Sequence, residues 1–220
     1  MAVKLAPSIL AADFLNLGAD VELVNKHADI FHLDVMDGIL VPNLSFGFPV
    51  VDAIAKKARR PMDVHLMIVK PWNYFERFAK SGAAMISFHL EAAKRDGKDA
   101  SELLDSLKKL GVQAGLAINP DIPVEELYPH LEHADFILIM SVFAGFGGQK
   151  FMPESLERIA KLRAELDRQS LGNVRIEVDG GVGTANAPAL VKAGAEILVA
   201  GSSVFGAEDP VRACETIKCN

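Results

Sequence analysis

The sequence predicts an α/β protein folded as one closed (β/α)8 barrel, and three observations carry that expectation. Short apolar, strand-like runs alternate with amphipathic helical stretches from one end to the other. Such alternation implies right-handed βαβ units around a parallel sheet. The runs number eight, and 220 residues divided among eight units leave under 28 each, with no long linker or second domain left over. An open doubly wound sheet also fits alternation, but eight equal units favour closure. The unusual residues fall at the carboxyl ends of the strands, where such barrels keep their chemistry.

In chain order, Lys4–Leu10 is the first strand, followed by a helix over Leu17–His27. The second strand, Ile30–Asp37, alternates with period two, so His32, Asp34 and Met36 share one face and Leu33 and Val35 the other. A helix over Val50–Arg59 leads to the third strand, Met62–Ile68, where Asp63, His65 and Met67 repeat that arrangement. A helix over Trp72–Lys80 precedes the fourth strand, Met85–Glu91, with His89 near its exit. Next come a helix over Ala100–Leu110, the fifth strand Gln113–Asn119, a helix over Val124–His133 and the sixth strand Phe136–Val142. The longest helix, Glu154–Arg168, sets Leu156, Ile159, Leu162 and Leu166 at three-to-four spacing. Pro153 stands near its start and Gly172 after its end. The seventh strand, Arg175–Gly180, carries Glu177 and Asp179 on one face, and a helix over Ala187–Ala193 follows. The eighth strand, Glu196–Gly201, runs into Ser202 and Ser203, and a last helix starts at Pro210.

Composition excludes several classes. Half the residues are hydrophobic and only 17 are Gly and 11 Pro, which rules out a disordered or fibrous chain. A net charge of −6 argues against nucleic acid as a partner, because phosphate-backbone binders concentrate Lys and Arg. The longest apolar run, Phe136–Met140, is five residues, far short of a membrane span. Pro7 and Ser8 interrupt the first apolar stretch before a signal-peptide core could form. Cys214 and Cys219 lie in the last seven residues, where a bridge would close a trivial loop, so both read as free thiols. A soluble cytoplasmic protein is expected.

If the shared faces of strands two, three and seven point into the barrel mouth, His32, Asp34, His65 and Asp179 converge there. Two imidazoles and two carboxylates suit one borderline divalent cation and leave room for substrate oxygens. Zn2+ is the first choice, and Fe2+, Mn2+ and Co2+ accept the same donors. Taken singly, a buried His or Asp at a strand end is more often a hydrogen-bonded structural group. Repetition on successive strands argues for a metal, since four ionisable groups in an apolar barrel would otherwise go unpaired at high cost. His89 is a weaker ligand candidate or a support behind the ligands. Asp63 is such a support or a buried ion-pair member, and Asp37, before Gly38, shapes a loop. His27, His130 and His133 fall on the outer helical ring, in solvent.

The glycines form a second constellation. Gly145, Gly147 and Gly148 follow strand six, Gly180 and Gly181 strand seven, and Gly201 strand eight. Glycine lets backbone N–H groups approach a ligand, and three such turns on consecutive strands point to an anion of phosphate size. The run lacks the final glycine of a dinucleotide fingerprint, and no Gly-Lys-Ser/Thr element exists for a triphosphate loop. Basic side chains are scarce nearby, so backbone donors are expected to carry the phosphate. Met36, Met67 and Met140 sit near strand exits. Core filling explains any one of them, while three together suggest a soft, dry wall around a developing negative charge.

Together these residues resemble the ribulose-phosphate 3-epimerase family. The run Pro7–Asp13 looks like its first strand, and His32–Gly38 with Val41, Pro42, Asn43, Phe46 and Gly47 looks like its second strand and loop. Asp63–Met67, Gly145–Gln149, Glu177–Gly181 and Ala200–Ser202 complete the set in family order. The resemblance covers essentially the whole chain. It implies a TIM barrel of the ribulose-phosphate-binding type, one domain over 1–220. It also implies metal-dependent epimerisation at C3 between D-ribulose 5-phosphate and D-xylulose 5-phosphate, through a 2,3-enediolate, in the pentose phosphate pathway. By the same resemblance one divalent metal per chain is held by His32, Asp34, His65 and Asp179, with Asp34 and Asp179 as the acid/base pair. Ser8, His65 and Asp179 would contact substrate, and Met36, Met67 and Met140 would shield the intermediate. Gly145, Phe146, Gly147, Gly148, Gly180, Gly181, Gly201 and Ser202 would surround the phosphate. A homo-oligomer, dimer or hexamer, is implied as well.

The chain departs from the family at two mouth loops. Phe143 and Ala144 stand where a polar residue and Pro are usual, and Ile39 and Leu40 where a polar residue and Phe are usual. Both changes bear on substrate preference rather than reaction type. An epimerase for allulose 6-phosphate would use the same catalytic residues, although Asp179 to Gly181 and the Gly147–Gly148 pair lean towards the pentose. A decarboxylase of the wider barrel group needs Lys where this chain has Met36. A non-catalytic phosphosugar-binding barrel has no need of two carboxylates and two histidines at one mouth.

Overall fold

The computed structural model describes residues 3–219. The expected domain, 1–220, thus includes residues 1, 2 and 220, which lie outside those described. Eight strands form one parallel sheet: β1 (Lys4–Pro7), β2 (Phe31–Met36), β3 (Met62–Met67), β4 (Ala83–His89), β5 (Gln113–Ile118), β6 (Phe136–Met140), β7 (Arg175–Asp179) and β8 (Ile197–Ala200). Their order is β1-β8-β7-β6-β5-β4-β3-β2. A parallel bridge between Ser8 and His32 brings β1 back to β2. Backbone N–H groups of Asp29 and Ile30 also donate to Leu5 O at 3.0 and 3.2 Å. The result is the expected barrel, nearly closed.

The helices are α1 (Leu17–His27), α2 (Phe48–Ala55), α3 (Phe75–Lys80), α4 (Leu90–Arg95), α5 (Ala100–Lys109), α6 (Ser155–Arg168), α7 (Ala187–Ala193), α8 (Ser202–Phe205) and α9 (Pro210–Lys218). Local chemistry sets their ends. Asp99 caps α5 by accepting from Ser101 N at 2.8 Å, and Leu103, Leu104 and Leu107 are its buried stripe. In α6 the expected periodicity buries Ile159, Leu162 and Leu166. Asp209 caps α9, with Pro210 at its first position, where a missing N–H costs nothing. Among the described residues no helix is long and apolar enough to cross a membrane. Cys214 is buried and Cys219 exposed, both unpaired.

Several elements differ from expectation: the helix expected over Trp72–Lys80 is a 3-10 turn, Pro71–Asn73, followed by α3, the one expected over Val50–Arg59 is α2, and α4 and α8 stand where no helix was expected. Val124–His133 is a 3-10 segment rather than an α-helix, because Pro129 inside it lacks an N–H and its ring would strike the preceding α-helical turn. The fourth strand ends at His89, and Leu90 already begins α4. The first strand ends at Pro7, and Ile9–Ala11 makes a 3-10 turn over Ser8, whose Oγ accepts from Leu10 N at 3.3 Å.

Inside the barrel the side chains lie in layers. Ile30, Met85, Phe136 and Ile197 plug the amino-terminal end, with Ala6 and Val199 packed on them from nearer the mouth. Gly115 makes that plug possible, since a Cβ there would lie 2.2 Å from the Phe136 ring. Met36, Met67, Leu138, Met140 and Val142 form an apolar layer at the carboxyl end. Between the two runs a polar layer that includes His32, Asp63, His65 and Glu177, all fully buried.

Candidate active site

Strand pleat delivers the site. On β2 the period of two sends His32, Asp34 and Met36 inward, and the in-register pairing of β2 with β3 sets His65 beside Asp34. Asp179 arrives from β7, held by Ser141 at the end of β6. The Ser141 N–H donates to Asp179 O at 2.7 Å and its hydroxyl to Gly180 O at 2.6 Å. Ligand atoms of His32, Asp34, His65 and Asp179 all lie within 4.8 Å of one another. The structure therefore brings together the four residues singled out from the sequence.

The contacts inside this cluster are specific. His65 Nδ1 lies 3.2 Å from Asp34 Oδ1 and 3.9 Å from Asp179 Oδ2. His32 Nε2 lies 3.3 Å from the same Asp34 oxygen and 3.9 Å from the same Asp179 oxygen, yet makes no hydrogen bond. A fully buried ring nitrogen without a partner, aimed at two carboxylates, is what a cation's donor looks like before the cation is added. Two nitrogens and two carboxylate oxygens also match the taste of Zn2+ and its neighbours. Behind this layer Asp63 Oδ2 accepts from His32 Nδ1 at 2.7 Å. Ser8 Oγ donates to Asp34 Oδ2 at 2.5 Å.

Burial and charge set the protonation of these groups. Burial alone would raise the Asp34 carboxyl, but the His32 and His65 imidazoles hold it well below the usual carboxylate range. Burial and the charge of Asp34 push Asp179 up to about 7. His32 overcomes its burial through Asp34 and Asp63 and is raised well above an ordinary histidine. Burial, with His89 adding to it, lowers His65 to about 4. Deeper still, burial and the charge of Asp63 raise Glu177 to about 8.

Above the cluster opens a cavity of about 420 Å3. Ser8, Asp34, Met36, Met67, Met140 and Asp179 form its floor and walls, and its lining includes Gly145, Phe146, Gly147, Gly148, Gly180, Gly181, Gly201 and Ser202. His32 and His65 are not part of this lining; they sit behind the two carboxylates. Among the described residues no Lys or Arg lines the cavity. At Gly181 the backbone has φ +62°, and a Cβ would fall 2.4 Å from Phe151 N, so only glycine fits.

The mouth loops are tied to one another. Asn43 Nδ2 donates to Gly145 O at 2.7 Å, joining the loop after β2 to the loop after β6. Gln149 Nε2 donates to Phe143 O and Phe146 O, closing the glycine loop on itself. Asp37 shapes its loop as expected, accepting from Ile39, Leu40 and Val69 N–H groups. Phe143 and Ile39, two of the four departures, are exposed. His130 and His133 are half-buried and bonded to Ser101 and Asp105, rather than free in solvent. The sequence reading did not single out Asn43 or Glu177 for the site. Glu177 shares the inward parity of Asp179, a signal that was available; the partner of Asn43 lies 102 residues away.

The sequence matches the ribulose-phosphate 3 epimerase family over residues 4–205. Among similar curated proteins, the ribulose-phosphate 3-epimerase of Bacillus subtilis (strain 168) is 42% identical, the match covering 98% of each chain. That of Synechocystis sp. is 44% identical over 98% of this chain and 93% of its own. A cytoplasmic isoform from Oryza sativa subsp. japonica is 42% identical over 95% of this chain and 90% of its own. Among solved structures, 3-hexulose-6-phosphate synthase from Salmonella typhimurium superposes with a TM-score of 0.71 at 17% identity, covering 98% of this chain and 97% of the other. At that identity the likeness speaks for the TIM-barrel fold alone.

Proposed function

The chain belongs to the ribulose-phosphate 3-epimerase family, and from that premise we propose that it interconverts D-ribulose 5-phosphate and D-xylulose 5-phosphate by epimerisation at C3. One observation carries the reading: two carboxylates, Asp34 and Asp179, meet at the floor of a cavity walled by three methionines and lined with glycine turns. Epimerisation takes the proton from C3, acidified by the neighbouring ketone, and returns one to the opposite face through a 2,3-enediolate. That requires a base on one face and an acid on the other, each worth about 10²–10⁴-fold. Asp34 and Asp179 fill those roles, and the Ser8 hydroxyl holds Asp34 in orientation.

His32, Asp34, His65 and Asp179 would hold one divalent cation, Zn2+ in the first place, with Fe2+, Mn2+ or Co2+ as alternatives. When bound, it supplies Lewis acidity that stabilises the negative charge left on the substrate. Met36, Met67 and Met140 keep water from that charge. Backbone N–H groups at Gly145 to Gly148, Gly180, Gly181, Gly201 and Ser202 hold the phosphate, fixing C3 between the carboxylates. Residues 1–220 act as a single domain in the cytoplasm. A homo-oligomer of two or six chains is supported by an exposed apolar face, where Phe14 packs on Phe46 beside Ile39 and Leu44.

Proton NMR of D-ribulose 5-phosphate with the metal-loaded protein in D₂O tests the reading, with allulose 6-phosphate in parallel and Asp34→Asn as control. The expected result is D-xylulose 5-phosphate deuterated at C3, lost in the variant. Turnover of allulose 6-phosphate alone would move the protein to the hexose substrate and implicate the Phe143–Ala144 loop. No turnover of either, with metal bound, would remove the assignment.

A further inference from the structure

His65 turns one ring nitrogen to the cation site and the other away from it. That second nitrogen, Nε2, lies 2.8 Å from Nε2 of His89, and the two rings stack at 5.0 Å. His89 Nδ1 in turn faces Glu91 Oε1 at 3.5 Å. The same Glu91 oxygen accepts from Asn119 N at 3.0 Å and from Asn119 Nδ2 at 2.8 Å. Asn119 Oδ1 then accepts from Ala144 N at 2.9 Å, at the root of the glycine loop. A continuous polar chain thus runs from β3 through the ends of β4 and β5 to the loop after β6.

With both imidazoles neutral, the direction of every proton in this chain follows from its carboxylate end. Glu91 can only accept when ionised. Burial would raise its carboxyl, but the hydrogen bond from His89 and the backbone donors hold it below its ordinary value. Arg158, whose guanidinium donates to Met140 O, Asn119 O and Ile122 O, adds positive charge nearby. His89 must then carry its proton on Nδ1 and present a bare Nε2. His65 must donate to that nitrogen from its own Nε2, which leaves His65 Nδ1 with a free lone pair facing Asp34 and Asp179. Of two neutral tautomers, only that one can ligate a cation there.

We propose that Glu91 is a positioning residue for both halves of the site. Through His89 it fixes the tautomer of His65 that donates to the cation, and through Asn119 it anchors the loop that receives the phosphate. This rests on the function proposed above. Glu91 touches neither substrate nor cation, and one carboxylate oxygen serves both branches.

The two branches can be cut separately. Co2+ titrations followed by visible absorption read the first, and KM for D-ribulose 5-phosphate at saturating metal reads the second. His89→Phe keeps a ring but removes the acceptor, and should weaken Co2+ binding about 10- to 100-fold while KM holds. Asn119→Ala leaves Ala144 N without its partner, and should raise KM about 5- to 100-fold while Co2+ affinity holds. Glu91→Leu should show both losses, and Glu91→Gln, which keeps an accepting oxygen, should restore most of each. Long-range nitrogen NMR of the Zn2+-loaded protein should show His65 protonated at Nε2, and lose that order in His89→Phe. Co2+ binding within twofold of wild type in both His89→Phe and Glu91→Leu would overturn the metal branch. An unchanged KM in both Asn119→Ala and Glu91→Leu would overturn the loop branch. If Glu91→Leu does not fold, His89→Phe and Asn119→Ala decide alone. Absence of Co2+ binding by the wild-type protein would instead count against the cation site itself.

Discussion

Asp34 and Asp179 reach one point from different strands, and their surroundings push their carboxyls in opposite directions. Two imidazoles beside Asp34 stabilise its charge, whereas at Asp179, 3.9 Å from the same rings, burial and the charge of Asp34 outweigh them. Asp179→Asn keeps the shape of the side chain and removes its proton chemistry. It should lower kcat about 10²–10⁴-fold with an unchanged far-ultraviolet circular dichroism spectrum; wild-type turnover would place the acid/base work elsewhere. Gly181 tests the phosphate side. With φ at +62° and a backbone nitrogen 2.4 Å from where a Cβ would sit, Gly181→Ala forces the loop after β7 to move. The expected cost is about 1–3 kcal/mol of stability, read by urea denaturation, together with a raised KM. An alanine variant with wild-type KM would show that this turn does not shape the binding site.

Elements hold these residues still through their caps and last turns. At the end of α6, Glu165 accepts from Arg168 at 2.6 and 2.8 Å and from Gln169 at 2.6 Å. Those bonds depress its carboxyl to about 2, against an ordinary value of 4.5. A depressed folded value means the ionised form favours the folded state, so the stabilisation is present above pH 4.5 and fades as pH falls towards 2. Wild type should therefore melt above Glu165→Gln at pH 6, and the gap should close between about pH 4.5 and 2. A gap that persists at pH 2 would mean the contribution is packing, not charge. The 3-10 segment Val124–His133 teaches a complementary lesson. Its apolar spacing buries Val124, Leu127 and Leu131 as a helix would, but one proline tightens the backbone that delivers them.

For the whole molecule, the barrel stacks three kinds of layer, and the polar one is tolerable only because apolar layers seal it. Phe136 is the largest member of the lower plug and nests on the bare backbone of Gly115. Phe136→Ala should cost about 3–5 kcal/mol, measured by urea unfolding. Because the lost volume lies beneath the polar layer, cation affinity should weaken with it. A loss well below 1 kcal/mol would show that the barrel end collapses around the gap.

The alternation of strands and helices, the eight-fold count and the inward parity of His32, Asp34, His65 and Asp179 were all legible in the sequence, because pleat and helix periods are local properties. Parity also set Met36, Met67 and Met140 in the mouth, and the scarcity of basic residues near the glycines held in the folded cavity. Other features needed the fold. Nothing local tells that Asn43 will reach Gly145, or that His65, His89, Glu91, Asn119 and Ala144 form one chain across four strands. The physical reason is that side-chain direction along a strand depends on nearest neighbours, while strand register and loop approach depend on how the whole sheet closes. The sequence determined which groups face inward; closure of the barrel decided which of them meet.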